Sequence, residues 1–190
     1  QAEQAEAGEF EQCTARLHAM RSIHARMLRS ALQDLSSERM RQEVDVLHQV
    51  LGASWLPLGA KRSFIELCGR LRDLVDLAQQ RADEMQAMLV ASFAKLNAEF
   101  GFSLAVERAV DVRKYRDDLD LIERNYVQYL GLTQALKLTQ ERFLEQFRRM
   151  LMSRLRVVFE SAASEIELWN RTASAQVPPR VRPDSSNFTQ

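Results

Sequence analysis

The sequence is short of residues that interrupt helices. Its 190 residues include six Gly and four Pro, and three of the Pro (Pro178, Pro179, Pro183) fall within the last thirteen positions. Chain breakers are therefore almost absent before Val177, which favours long helices. Cysteine is scarce too. Cys13 and Cys68 are two unclustered thiols in a chain too large to need a disulfide framework, and they fit a reducing, cytoplasmic setting as small buried hydrophobes. No charge sign dominates: Lys plus Arg and Asp plus Glu both total 26, so no global field marks a nucleic-acid binder. No run approaches the roughly 18 consecutive apolar residues of a membrane span, and the opening Gln1-Ala2-Glu3-Gln4 is not a signal peptide.

What is present is helical periodicity. Apolar positions step by three and four through Phe10, Cys13, Leu17, Met20, His24, Met27 and Ala31. They then change phase to Leu32, Leu35, Met40, Val44, Leu47 and Leu51, which predicts one long helix over about 5–51, loosened near Ser36-Ser37. Gly52 to Gly59 enclose Pro57 and predict a turn in which Trp55 plugs the bundle end. A second helix over about 61–100 carries Phe64, Leu67, Leu71, Leu74, Ala78, Met85, Leu89, Phe93, Leu96 and Phe100 on one face, and Gly101 stops it. Val112, Tyr115, Leu119, Ile122, Tyr126 and Tyr129 predict a third helix over about 108–130. With Thr133 as N-cap, Leu136 through Trp169 predict a fourth over about 134–176. Residues 177–190 read as a disordered tail. No segment alternates like a strand. The expected fold is an all-α, elongated bundle of three to four long amphipathic antiparallel helices.

Chemical motifs are weak. Gly59-Ala60-Lys61-Arg62-Ser63 lacks the paired glycine spacing of a phosphate loop and reads as a basic helix start. Asp45-x-x-His48 is half of the paired motif that a di-metal bundle needs, and His18 and His24 do not share a helix face as i, i+4 ligands would. Cys13 and His24 lie roughly 16 Å apart along one helix, too far for a dyad. No catalytic residue, cofactor or metal is expected. The informative pattern is local charge. Arg142, Arg148, Arg149, Arg154 and Arg156 share the last helix with only Glu141 and Glu145 nearby, and Arg16, Arg21, Arg26 and Arg29 stud the first. Such faces suit an anionic membrane surface or an acidic partner; the plainer reading pairs them with carboxylates of neighbouring helices.

Three stretches resemble the helical region of bacterial dynamin-family proteins. They are Ser54-Trp55-Leu56-Pro57-Leu58-Gly59-Ala60-Lys61-Arg62; Ala91-Ser92-Phe93 with Leu96-Asn97-Ala98-Glu99-Phe100-Gly101-Phe102-Ser103-Leu104; and Tyr129-Leu130-Gly131-Leu132 with Arg154-Leu155-Arg156-Val157-Val158 and Glu167-Leu168-Trp169. The resemblance spans about 54–176 and rests on helix and connector sequence. It implies the stalk or bundle that follows a GTPase domain, where helices mediate self-assembly in membrane-associated processes. The GTP-binding motifs of that family have no counterpart in these residues, so none of its nucleotide-binding or catalytic residues carries over. The Pro-rich tail also departs from the helix that would continue there. The expectation is a helical partner or self-association through the seams around Leu67–Phe100 and Leu136–Trp169, with a free-standing adaptor as the alternative.

Overall fold

The first long helix is a bent rod. In the computed structural model, which describes residues 2–53, 59–106, 108–130 and 141–177, α1 (Ala2–Asp34) gives way to α2 (Ser37–Ala53) where the apolar stripe changes phase. Ser36 makes the joint. Its amide donates to the Gln33 carbonyl (3.2 Å), its Oγ accepts the Arg39 amide (3.1 Å) and its carbonyl accepts the Met40 amide (3.1 Å). One serine thus serves donors that the start of α2 would otherwise leave open. The bend lets Cys13, Leu17 and Met20 face one end of the molecule and Leu35, Met40, Val44 and Leu47 the other.

α3 (Ala60–Phe100) is the spine, 41 residues and so ~60 Å long. Glycine bounds it twice in the left-handed region, Gly59 at φ 106° and Gly101 at φ 69°, where a side chain would be strained. Lys61 and Arg62 in its first turn are exposed, and Arg62 pairs with Glu66 (3.1 Å): an ordinary helix start. α3 runs antiparallel to the α1–α2 rod, since Cys13 and Leu17 cluster with Phe93 and Leu96.

The third stroke departs from the expected helix over 108–130. The helix α4 (Tyr115–Val127) begins seven residues later, and a 3-10 turn over Gln128–Leu130 ends it. Residues 101–106 and 108–112 are instead free of helix and run as a strap along the distal half of α3. Two amide side chains of α3 clip it. Asn97 donates to the Leu104 carbonyl (2.9 Å) and accepts the Leu104 amide (2.8 Å). Buried Gln79 donates to the Val110 carbonyl (2.9 Å) and accepts the Val112 amide (2.7 Å). Length explains the absence of helix. From Asn97 to Gln79 the spine covers ~27 Å, which about seven extended residues nearly span, whereas seven helical residues reach only ~10 Å. Asp111 Oδ1 then accepts the Arg113 amide (3.0 Å), turning the chain into α4.

α5 (Glu141–Ala175) closes the bundle. It packs on α2, α4 and α1 and contributes to both apolar clusters, with Phe147 and Leu151 in one and Ala173 in the other. Around the bundle the order is α1–α2, α3, strap and α4, then α5, with neighbours antiparallel and α3 and α5 on the diagonal. The fold is all-α, and no strand occurs among the described residues. Val177, expected in the tail, is buried with the bundle, and its carbonyl accepts Arg21 (3.4 Å). Trp55, Thr133, Leu136 and residues 178–190 lie outside the described residues, as does the start of the fourth helix before Glu141.

Buried between α1 and α5, His24 stacks edge-on against Trp169 (6.4 Å between ring centres), and its Nε2 has no hydrogen-bond partner among the described residues. Trp169 Nε1 donates to the Arg108 carbonyl of the strap (2.5 Å). Burial lowers the His24 pKa below its usual 6.5, so the folded state refuses a proton that the unfolded chain accepts. The contribution is intact above about pH 6.5 and is lost as pH falls through that value towards the lower folded one. Thermal melts at pH 7.5 and 5.5 should show this loss, and His24→Leu should remove that part of it. An unchanged pH difference in the variant would refute the assignment.

Candidate interaction surface

The nine arginines singled out by sequence divide by their contacts. Arg16 pairs with Glu99 of α3, and Arg21 reaches the Val177 carbonyl, so both join α1 to its neighbours. Arg148 is tied to α2: its Nε and Nη2 lie 3.0 and 2.7 Å from Asp45 Oδ1. Asp45 is therefore engaged by a guanidinium and is not poised beside His48 as a metal ligand. Arg149 is 80% exposed and only 4.0 Å from Glu145. Arg26, Arg29, Arg142, Arg154 and Arg156 are exposed, and no ion pair involves them among the described residues.

Packing brings part of this set together. Arg41 of α2 joins Arg148, Arg149 and Arg156 around a groove of about 280 Å³, with Glu145, Met152 and Ser153. It adjoins an opening of about 770 Å³ lined by His48, Glu141, Arg142, Glu145, Gln146 and Arg149. Five arginines thus face two glutamates along the α2–α5 edge. Arg142, Arg149 and Arg156 recur at heptad spacing, which keeps them on one side of α5. Arg26 and Arg29, on α1, do not line this groove. Sequence reading missed Arg41, although its i, i+4 spacing to Asp45 marks the face of α2 that meets α5.

The opposite edge, between α3 and α4, has more carboxylates than arginines, and its arginines are paired across the two helices. A groove of about 830 Å³ is lined by Asp73, Asp76, Asp83, Arg113 and Arg116 together with Leu77 and Gln80. Arg116 pairs with Asp76, Arg113 lies 3.9 Å from Asp83, and Arg72 bonds Asp120 (2.9 Å) and Glu123 (3.3 Å). Where α4 meets α5, the Tyr115 hydroxyl donates to Glu165 Oε1 (2.8 Å) and Lys114 Nζ lies 2.6 Å from the same oxygen. Burial and the bond to Glu165 push the Tyr115 phenol up to about 12, so it remains a donor. Burial alone would raise Glu165, but the bonds from Lys114 and Tyr115 hold it below the usual carboxylate value. This trio fastens two helices.

Nucleophile chemistry finds little to use. Both thiols are buried, and burial pushes Cys68 up to about 12 and raises Cys13 as well, leaving both as thiols at neutral pH. Among the described residues, no group of three or more His, Cys, Asp or Glu could hold a metal ion, and no helix is long and apolar enough to cross a membrane. No family model, curated protein or solved structure matches the chain.

Proposed function

We propose that the chain is a non-catalytic helical assembly module, the stalk-like part of a bacterial dynamin-like GTPase acting in membrane-associated processes. Of the seams expected to carry assembly, around Leu67–Phe100 and Leu136–Trp169, the stretches from Leu67 to Leu96 and from Leu144 to Ile166 turn their apolar residues into the bundle. A partner must therefore use an outer face. The observation that carries the reading is the outer face of α5, where Val157 and Leu168 are 64% and 62% exposed and Met150 is also exposed. Beside them Arg154, Arg156, Glu160, Glu167 and Arg171 have no ion-pair partner among the described residues. Apolar side chains within a field of unpaired charges are the make-up of an interface that also stays soluble. Light scattering across a concentration series should show reversible self-association, and a strict monomer at the highest soluble concentration would sink the proposal.

A second reading rests on the α2–α5 groove. Arg41 is paired with Glu38 (3.2 Å) and Arg148 with Asp45 (2.7 Å), which leaves Arg142, Arg149 and Arg156 to favour an adaptor that docks on an anionic membrane surface or an acidic protein. Sedimentation with phosphatidylserine vesicles should show binding at low salt and release at high salt. Absence of binding at low salt removes the membrane version.

A further inference from the structure

Six of the charges along one side of α5 have an order with a two-fold relation. Glu145, Arg149, Arg156, Glu160, Glu167 and Arg171 follow one another at steps of 4, 7, 4, 7 and 4, all of which keep to one side of a helix. The spacing is symmetric about Val158. Read forwards the signs are minus, plus, plus, minus, minus, plus; read backwards every sign is inverted.

An antiparallel copy of the same helix centred at that point sets Glu145 opposite Arg171, Arg149 opposite Glu167, and Arg156 opposite Glu160. The two-fold axis repeats each pairing, so the row forms six oppositely charged contacts and no like-charged one. In the same register Arg142 and Arg154 fall opposite Ser174 and Ala162, which carry no charge. The exposed apolar residues obey the same symmetry. Val157 lies beside the axis and meets its own copy, while Met150 falls within two residues, ~3 Å along the axis, of the position facing Leu168. All three lie on one flank of the charged row, and a two-fold axis perpendicular to both helices keeps them on a shared flank.

We infer that two copies of this chain pair through the outer faces of their α5 helices, antiparallel about a two-fold axis at Val158. The inference rests on the assembly reading and gives it a surface. Four of the six charges, Arg156, Glu160, Glu167 and Arg171, have no ion-pair partner within the chain among the described residues, so their pairing with a second copy displaces no existing contact. Glu145 is held only loosely, at 3.9 Å from Arg148 and 4.0 Å from Arg149. The paired row extends ~39 Å along the helix and is one helix wide, at the small end of specific interfaces, so the dimer is reversible and salt-sensitive.

The test is sedimentation velocity on the full chain, with thermal melts to confirm that each variant folds. Arg156→Glu turns two symmetry-related attractions into repulsions and should weaken the dimer about tenfold. Adding Glu160→Arg exchanges the signs and should restore it, because each position again meets its opposite. Raising the salt should weaken the wild-type dimer and leave the Arg156→Glu variant little changed. A dimer that ignores Arg156→Glu, or a folded double variant that stays monomeric, overturns this surface while leaving self-association standing. A strictly monomeric wild type overturns both.

Discussion

Gln79→Leu is expected to destabilise the protein by about 2–6 kcal/mol, because it strands two buried backbone groups at about 1–3 kcal/mol each. Gln79 is 4% exposed, and its amide satisfies the Val110 carbonyl and the Val112 amide together. Leucine matches the size and supplies neither partner. The loss should be concentrated where the strap crosses the spine, so hydrogen exchange at the Val112 amide should quicken more than exchange in mid-α3. Gln79→Glu sharpens the test. It keeps an acceptor for Val112 but sets a carboxylate against the Val110 carbonyl and near Asp83, whose Oδ1 now accepts the Gln79 amide at 2.8 Å. Its deficit should shrink as the pH is lowered, since protonation returns the donor. A deficit independent of pH would mean that the amide matters through its volume alone.

Phe64→Ala should cost about 3–5 kcal/mol, the range for emptying a fully enclosed aromatic site. Phe64 has no exposed surface and stands edge-on to Phe147 of α5 at 5.9 Å. Tyr126 of α4 meets the same Phe147 ring at 6.1 Å, so one side chain supports the place where three helices converge. Urea titration should show a lower midpoint with an unchanged slope. Leu121→Ala, on a side chain 49% exposed, should shift the midpoint by less than about 0.5 kcal/mol equivalent. A similar loss in both variants would place the core elsewhere.

Two of the long helices were legible in outline because their apolar residues keep one phase over many turns, as from Phe64 to Leu96. The phase change after Ala31 located the bend. The strap was not legible for a physical reason: Val110 and Val112 alternate with Asp111 in the manner of extended chain, but over too few residues to outweigh the helical spacing that follows. What fixes the strap is side-chain amides sited elsewhere in the sequence, and Asn97 and Gln79 look like ordinary helix surface until their partners are known. The candidate surface was legible as a run of arginines on α5, but sorting them required the third dimension. Only the fold shows that Asp45 engages Arg148 and that Arg41 belongs beside Arg149 and Arg156.

That α5 contributes to both apolar clusters has a consequence during synthesis. The α1–α3 hairpin leaves the ribosome with the seam from Phe64 to Phe93 only half covered, because α4 and α5 follow it in the chain. At about 5–20 residues per second, the 75 residues from Phe100 to Ala175 take roughly 4–15 s to make. Throughout that interval the nascent hairpin presents apolar surface to whatever is near, including a second nascent hairpin on the same message. A premature stop before α5 should therefore yield a sticky, chaperone-bound product, and slowing translation beyond Phe100 should lengthen the window in which neighbouring chains can exchange partners.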